Sequence, residues 1–185
     1  MAGIHLIVQG AVSDRILTQT GGPRSSDILG PGDLIGLEML GSNSANLSIS
    51  LCRALTGVEL LFVERKQFAS ALDDNPSLLQ SMFQYAVSRV IHTRRDPRQQ
   101  ISAEGQLCRL LLRLGETCGT PRAGLTIALP PEIAQRTLGD LLCMSSRQLR
   151  QAIQAVQNLK IGKSGIEFDT DEARRIIGST VSAAR

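Results

Sequence analysis

The chain has 185 residues, of which 42% are hydrophobic and 20% charged, so it is long enough for one large or two small globular domains and is not a disordered protein. Aromatic residues make up only 3% and Trp is absent, which argues against nucleic-acid binding by base stacking. The net charge of +3 is unevenly distributed. Residues 1–75 carry five basic and eight acidic side chains (−3), whereas residues 76–185 carry fifteen basic and nine acidic side chains (+6). Phosphate binding requires a basic surface, which the C-terminal half could provide.

The first 75 residues are predicted to form short strands separated by turns that contain Gly and Pro. Strands are expected at Ile4–Val8, at Ile16–Thr20 before Gly21–Gly22–Pro23, and at Ile28–Leu29 before Gly30–Pro31–Gly32–Asp33. Leu47, Ile49 and Leu51 alternate with polar residues, which indicates a half-buried strand. The denser apolar run Val58–Val63 is expected to be a central strand. Together these short segments favour an antiparallel roll or barrel.

A long helix is predicted to begin at Asn75–Pro76, because Pro is favoured in a first helical turn. Its apolar residues come in pairs, at Leu78/Leu79, Met82/Phe83, Ala86/Val87 and Val90/Ile91. A helix of about 20 residues spans roughly 30 Å, so we expect it to pack on the strands and against another copy of itself. Burial within one subunit is the alternative. Asp96–Pro97–Arg98 should end or kink the helix.

The stretch Thr137–Asn158 is predicted to form two short helices around a tight turn. Apolar residues mark one face of each helix: Leu138, Leu141 and Leu142 in the first, and Leu149, Ile153 and Val156 in the second. Gly139 is small enough for a close helix crossing, and Ser145 or Ser146 is a suitable N-cap for the second helix. The outer side of that helix keeps Arg147, Gln148, Arg150 and Gln151, which suit base edges and phosphates. The pattern predicts a helix-turn-helix whose second helix enters the major groove, with an ordinary helical hairpin as the alternative.

The segments around these two helices are predicted to complete a C-terminal domain. A helix at about Ser102–Thr117 carries Leu107, Leu110, Leu111 and Leu114 inward, and Leu125–Leu129 alternates as a strand. After Asn158, Leu159–Ile161 and Ile166–Phe168 are predicted to form a hairpin with Lys163 at its tip. A hairpin in this place is predicted to be a wing, which would rest on the phosphate backbone. Asp169–Asp171 is expected to cap a last helix.

Other parts of the sequence argue against a metal site, an enzyme and a membrane span. Cys52, Cys108, Cys118 and Cys143 are widely spaced without a CxxC motif, so free thiols are expected. The sequence has no Ser/His/Asp or Cys/His grouping and no phosphate loop, and no cofactor is expected. No apolar stretch approaches ~18 residues, and a signal-peptide pattern is absent. A cytoplasmic protein that is not an enzyme is predicted.

In this order the predicted elements resemble those of the Crp–Fnr transcription regulators over nearly the whole chain. Ile4–Gly10 is similar to the strand and turn that enter the family's β-roll, and Leu29–Gly36 (LGPGDLIG) to its GPGDxxG turn. Val58–Val63 with Phe68 matches the next strand and short helix, and Gly105–Leu114 the helix that opens the DNA-binding domain. Val58–Leu61 and Ser88–Thr93 are also similar to the cyanobacterial nitrogen-control regulators.

The resemblance implies an α+β fold with three parts. Residues 1–75 would form an antiparallel, cyclic-nucleotide-binding-like β-roll that lacks the family's N-terminal helix and first strands. Residues 76–101 would form a long dimerisation helix and hinge, and residues 102–185 a winged helix-turn-helix domain. The DNA-binding residues would be Ser145, Ser146, Arg147, Gln148, Arg150, Gln151 and Lys163. The implied partners are double-stranded DNA, a second copy of the chain and RNA polymerase.

The effector-binding pattern of the family is only partly matched. The resemblance places an effector site at Gly36, Glu38, Asn43, Ser44, Arg89 and Thr93. Asn43 stands where an Arg would hold a cyclic phosphate, so weak or absent binding of cyclic AMP and cyclic GMP is expected. Arg89 could pair with an effector carboxylate or form a salt bridge at the dimer interface.

The second helix of the hairpin also departs from the family pattern. Arg147 and Arg150 are displaced by one position from the family's basic residues, which is about 100° of helix rotation. Base preference should therefore differ from that of relatives. Cys143 stands in place of the usual Gly of the turn, so we expect a turn that does not need positive φ.

Three functions follow as hypotheses. The first is a homodimeric DNA-binding transcription regulator of the Crp–Fnr type that is not controlled by cyclic AMP. The second is a partner that does not bind DNA and antagonises a full-length regulator by forming dimers with it. The third is a sensor of another small metabolite, such as 2-oxoglutarate.

Overall fold

A computed structural model describes residues 3–17, 23–37, 50–94, 101–162 and 165–182. Within these ranges the side chains of residues 16–17, 23–26, 50, 90–94 and 180–182 are not described. Several predicted residues lie outside the described part of the chain: Glu38, Asn43, Ser44, Leu47, Ile49, Asp96, Pro97, Arg98 and Lys163. Thr93 is described by its backbone alone.

Six strands come first in the chain. They are β1 (Gly3–Gln9), β2 (Val12–Leu17), β3 (Pro23–Leu29), β4 (Leu34–Ile35), β5 (Ser50–Ala54) and β6 (Glu59–Glu64). Within the described residues they form two three-stranded antiparallel sheets, in the orders β4–β1–β6 and β3–β2–β5. Ile7, Val12 and Leu29 are buried together, with Ile35 and Val58 packed against them. The short, turn-rich segments of the sequence therefore form antiparallel sheets, as predicted.

Among the described strands, β6 does not take the central position that its apolar run predicted. Among the described strands it pairs only with β1, at the edge of its sheet. Its residues Leu60, Leu61 and Phe62 are 45%, 53% and 39% exposed. Within the described residues the run therefore does not form a central strand, because its hydrophobicity describes one segment, whereas strand order depends on pairing with distant segments.

Two helices follow, α1 (Arg65–Asp74) and α2 (Pro76–Arg94), and α2 begins at Pro76 as predicted. The Tyr85 hydroxyl of α2 accepts a hydrogen bond from the Leu34 backbone N–H (3.0 Å) and donates to Asp33 Oδ1 (3.1 Å). Asp33 Oδ2 accepts from the Gly30 backbone N–H at 2.8 Å. Burial raises the pKa of Tyr85, which keeps the hydroxyl protonated as a donor. This network fastens α2 to the turn between β3 and β4.

The apolar stripe of α2 is only partly buried. Leu78 and Met82 are half-buried, whereas Leu79, Phe83 and Val87 are 53%, 69% and 40% exposed. These three residues are spaced four apart and lie on one face of the helix. The alternative of a helix wholly buried within one subunit is therefore wrong for the described part of α2.

The C-terminal part contains the largest core. Its elements are α3 (Ala103–Cys118), β7 (Thr120–Pro121), β8 (Thr126–Leu129), α4 (Gln135–Leu142), α5 (Ser146–Ala155), β9 (Lys160–Gly162), β10 (Gly165–Asp169) and α6 (Thr170–Ser182). Leu107, Leu111 and Leu114 of α3 are fully buried, as predicted. Ser102 caps α3 by accepting from the Gly105 N–H at 3.3 Å, and Asp169 caps α6 by accepting from the Glu172 N–H at 2.9 Å.

The C-terminal core continues onto the outer face of the β3–β2–β5 sheet. Ala11, Ile28 and Leu55 are buried in the same cluster as the α3 leucines. Gly30 allows this close approach, because a Cβ there would lie 2.5 Å from Thr117 Cγ2. Among the described residues, no helix combines the length and apolar character needed to span a bilayer.

Candidate nucleic-acid interface and ligand pocket

Helices α4 and α5 pack through the faces that the sequence predicted. Leu138 and Leu141 of α4 and Leu149 of α5 are buried in the C-terminal core. Gly139 lies at the crossing, because a Cβ there would be 3.3 Å from Leu149 Cδ2. The inner sides of both helices are thus fixed by the core, which leaves the opposite side of α5 to solvent.

Helix α5 begins with a reciprocal capping arrangement. Ser145 is the N-cap, and its Oγ accepts from the Gln148 backbone N–H at 3.3 Å. Gln148 Oε1 in turn accepts from the Ser145 backbone N–H (3.0 Å) and from the Ser145 hydroxyl (2.8 Å). Of the two serines predicted as N-caps, Ser145 has this role and Ser146 is the first helical residue. The side-chain oxygen of Gln148 is therefore engaged in the cap, and only its amide NH₂ remains for an external partner.

The outer face of α5 is exposed, polar and basic. Ser146, Arg147, Arg150 and Gln151 are all exposed, and α5 contains no acidic residue. Neither arginine has an ion-pair partner among the described residues. The face therefore presents two guanidinium groups and several hydrogen-bond donors near the positive end of a helix dipole, which is a surface suited to phosphates and base edges.

The turn before α5 has a conformation that we did not expect. Cys143 adopts φ 53° and ψ 34°, in the left-handed region, and its N–H donates to the Gly139 carbonyl. The Met144 N–H donates to the same carbonyl at 3.0 Å. The prediction of a turn without positive φ was wrong, because these two bonds close the C-terminus of α4 and require the left-handed backbone whichever residue occupies the position.

A second candidate site is a cavity of about 210 Å³ between α2 and the strands. It is lined by residues 34–37 and by Asp14, Ala86 and Arg89. The structure thus brings together Gly36 and Arg89, two of the predicted effector residues. Glu38, Asn43, Ser44 and the Thr93 side chain lie outside the described part, so their place relative to this cavity stays a prediction.

Arg89 is held between two carboxylates that sequence reasoning missed. Its Nη1 lies 3.0 Å from Asp27 Oδ2, and its Nη2 lies 3.7 Å from Asp14 Oδ2. Asp14 and Asp27 face each other as register partners on β2 and β3. An anion that entered the cavity would therefore compete with two carboxylates for the Arg89 guanidinium. No sequence signal could have identified the pair, because their proximity depends on strand register.

The described residues contain no group of three or more His, Cys, Asp or Glu side chains arranged to hold a metal ion. Cys108 is buried, Cys118 is half-buried, and Cys52 and Cys143 are exposed. All four are thiols and not disulfides, as predicted.

Comparison with known proteins gives a match of fold. No family model matches the sequence, and no curated protein matches it at a significant level. Among solved structures, a CRP/FNR-family transcriptional regulator from Thermus thermophilus is 17% identical with a TM-score of 0.65, over 96% of this chain and 89% of that one. FixK2 from Bradyrhizobium japonicum is 15% identical with a TM-score of 0.69, over 95% and 87%. The c-di-GMP responsive global regulator CLP of Xanthomonas campestris is 16% identical with a TM-score of 0.69, over 91% and 86%.

These likenesses establish the fold class. The mixed α+β arrangement with antiparallel sheets is the cyclic-nucleotide-binding type of fold that these regulators share. The matches cover more than nine tenths of this chain and most of each regulator, so the likeness extends over the N-terminal strands and the C-terminal helices together. The protein therefore has the fold of the Crp–Fnr transcription regulators.

Proposed function

We propose that this protein is a homodimeric, DNA-binding transcription regulator of the Crp–Fnr type. The observation that carries the proposal is the outer face of α5, a capped helix on which Arg147 and Arg150 are exposed and have no ion-pair partner among the described residues. The likeness in fold to known transcription regulators supports it. In this proposal residues 1–75 are an effector-type domain, 76–101 a dimerisation helix and hinge, and 102–185 the DNA-binding domain.

In this proposal α4 and α5 form a helix-turn-helix and β9–β10 forms its wing. Helix α5 enters the major groove, where Arg147, Arg150 and Gln151 contact base edges and phosphates. Ser145 and Ser146 at its N-terminus, together with the amide of Gln148, contact the backbone. Lys163, between β9 and β10, adds a phosphate contact. Because the side-chain oxygen of Gln148 serves the cap, we expect Gln148 to contribute less to base recognition than Gln151.

The dimer in this proposal is formed by α2. Leu79, Phe83 and Val87 expose a continuous apolar stripe that a second copy of the helix would cover. A two-fold axis along the helices would hold two α5 helices at a separation that matches half-sites one turn apart on DNA, roughly 34 Å. RNA polymerase is a further proposed partner once the dimer is bound.

The test is DNA binding by the intact chain, measured by fluorescence anisotropy on fragments selected from the source genome, at several salt concentrations. We expect Arg147→Ala and Arg150→Ala each to weaken binding about tenfold and to reduce the slope of log affinity against log salt by about one. Arg65→Ala, which removes an exposed arginine of α1, is the matched control. The proposal would be refuted if the wild type and the three variants bound DNA with equal affinity and that affinity did not depend on salt. A folded dimer that binds no fragment but forms mixed dimers with a full-length regulator would favour the antagonist function instead.

The cavity beside Arg89 favours a sensor function as a second candidate, although not for cyclic nucleotides. Arg89 is neutralised by Asp14 and Asp27, so a cyclic phosphate or 2-oxoglutarate would have to displace a carboxylate. We expect cyclic AMP, cyclic GMP and 2-oxoglutarate to give no thermal shift with the wild-type protein. Asp27→Asn, which removes one competing charge, should increase any anion binding. A strong shift with wild type, abolished in Arg89→Gln, would contradict this expectation and restore an anionic effector.

A further inference from the structure

The N-terminal sheets and the C-terminal part of the chain meet through apolar and polar contacts. Ala11, Ile28 and Leu55 are buried in the same apolar cluster as the leucines of α3. Apolar burial is non-directional, so it holds the two parts together but does little to fix the angle between them. A hydrogen bond has a preferred distance and angle. A polar contact at this interface can therefore set the orientation of the C-terminal helices.

Arg15 of β2 makes such a polar contact. Its Nη2 donates to the carbonyl oxygen of Asp140, in α4, at 2.8 Å, and its Nε is buried without a hydrogen-bond partner among the described residues. The guanidinium is thus enclosed where the strand meets the helix. Arg53 of β5 also reaches α4, but its Nη1 lies 3.9 Å from Asp140 Oδ2 and its side chain is 65% exposed. Arg15 therefore restrains α4 more tightly than Arg53 does.

Helices α4 and α5 are held to each other, so a contact that orients α4 also orients α5. The N–H groups of Cys143 and Met144 both donate to the Gly139 carbonyl and close the turn between the helices. A Cβ on Gly139 would lie 3.3 Å from Leu149 Cδ2, which shows how closely the two helices cross. The Arg15 contact therefore acts, through α4, on the exposed basic face of α5.

The other face of β2 is tied to α2. Asp14 and Arg15 are consecutive, and consecutive side chains of a strand point to opposite faces of its sheet. Asp14 Oδ2 lies 3.7 Å from Nη2 of Arg89 in α2, and Asp27 Oδ2 on the neighbouring strand lies 3.0 Å from Nη1. Strand β2 thus connects α2, the helix of the proposed dimer, with α4. A restraint at Arg15 is therefore a restraint between the dimer helix and α5.

We propose that Arg15 is a positioning residue for DNA binding, an inference that rests on the proposed function. Arg15 holds α4 and α5 at one angle to α2, and this angle determines which separation of two half-sites the dimer accepts. Two linked binding units gain affinity only where both reach their sites at once. Arg15 acts through the Asp140 carbonyl and contacts no DNA itself. Its loss should therefore relax the choice of half-site separation without weakening the contact with one half-site.

The orientation is tested first on the intact chain without DNA, by residual dipolar couplings of the backbone amides. We expect the couplings of the N-terminal strands and of the C-terminal helices in the wild type to fit a single alignment tensor. In Arg15→Ala the couplings of the C-terminal helices should be smaller than that tensor requires, because these helices move relative to the strands. Arg53→Ala, which removes the neighbouring arginine, is the matched control and should keep the single tensor. A single tensor in Arg15→Ala, or none in the wild type, would overturn the proposal.

The DNA test uses the site that the wild-type chain selects from random-sequence DNA. Fluorescence anisotropy measures binding to this site, to a single half-site, and to sites whose half-sites are moved together or apart by a few base pairs. We expect the wild type to prefer one separation. In Arg15→Ala this preference should fall about fivefold, the factor expected from the loss of one hydrogen bond, while the single half-site binds as before. Arg147→Ala should weaken binding to the single half-site and keep the preferred separation.

The results of the DNA test separate the positioning role from the alternatives. An unchanged preference for one separation in Arg15→Ala would overturn the proposal. An equal loss of affinity for the single half-site and the full site would also overturn it, because Arg15 would then contact DNA or maintain the fold of α5. If the wild type selected no DNA, the proposed function would fail, and the dipolar couplings would still decide whether Arg15 orients α4 and α5.

Discussion

Arg15 on β2 donates a hydrogen bond from Nη2 to the carbonyl oxygen of Asp140, near the C-terminus of α4, at 2.8 Å. The last four carbonyls of a helix lack partners within it, and a guanidinium there also complements the negative end of the helix dipole. Arg53 of β5 lies beside this contact, with Nη1 3.9 Å from Asp140 Oδ2. A strand of the N-terminal sheets thus caps the helix that precedes α5, so the orientation of α4 and α5 against those sheets depends partly on one side chain.

Replacing Arg15 should loosen this attachment without unfolding the protein. Arg15→Ala removes a charge-assisted hydrogen bond at the surface, so we expect the free energy of unfolding to fall by about 1 kcal/mol. Amides of α4 and α5 should exchange faster. Urea unfolding and hydrogen exchange measure these two effects. Arg53→Ala is the control, and its long, exposed ion pair should contribute less than about 0.5 kcal/mol. Equal effects of the two variants would contradict a capping role for Arg15.

The left-handed residue between α4 and α5 offers a stabilising substitution. A non-glycine residue at positive φ carries a steric cost, which Gly avoids. Cys143→Gly should therefore raise the free energy of unfolding by up to about 1 kcal/mol, measured by urea denaturation. Cys143→Ala removes the thiol but keeps the Cβ, so it should give no such gain. If both variants changed stability equally, the thiol and not the backbone would be responsible.

The four thiols should divide into two classes of reactivity. Burial raises the pKa of Cys108 to about 11, with a smaller contribution from Glu172, and burial raises that of Cys118 to about 11 as well. The thiolate is the reactive form, so at pH 8 each should react roughly a hundredfold more slowly than a thiol of ordinary pKa. In a titration with a colorimetric disulfide reagent, the two exposed thiols, Cys52 and Cys143, should react fast in the native protein. All four thiols should react fast in urea. Four fast thiols in the native protein would show that the α3 core is open.

The same raised pKa values predict how stability depends on pH. Each native thiol has a pKa of about 11 and keeps its proton up to about that pH, whereas the thiols of the unfolded chain lose theirs near the ordinary pKa of 9.0. The contribution of these thiols to stability is thus complete below pH 9 and is lost as the pH rises from about 9 to about 11. Urea unfolding across this range checks the sign, and Cys108→Ala/Cys118→Ala should weaken the dependence.

The exposed stripe of α2 predicts a dimer that one charge would break. Phe83 is 69% exposed. In the proposed dimer the Phe83 side chain of each subunit becomes buried in the interface. Covering two Phe side chains contributes roughly 3 kcal/mol or more, so Phe83→Asp should weaken association at least about a hundredfold. Light scattering coupled to size exclusion measures the mass. Gln84→Asp places the same charge on the next exposed residue and should leave the dimer intact. A wild-type protein that is monomeric at all concentrations would exclude this interface.

The sequence by itself determined the features that depend on neighbouring residues. Alternation and turn residues placed most of the strands, and the spacing of Leu138, Leu141 and Leu149 fixed the inner faces of α4 and α5. Ser145 was identified as a candidate cap because its hydroxyl bonds to a backbone group three residues away. The exposed basic face of α5 followed from the same helical period, which needs no knowledge of the rest of the chain.

Only the tertiary structure decided how distant segments meet. The run Val58–Val63 predicted a central strand, yet among the described strands β6 lies at an edge. Arg89 is neutralised because strand register sets Asp14 against Asp27, and Arg15 caps α4 from 125 residues away. Local periodicity determines which face of a segment is apolar, but packing between distant segments determines what covers that face and which charges are neutralised.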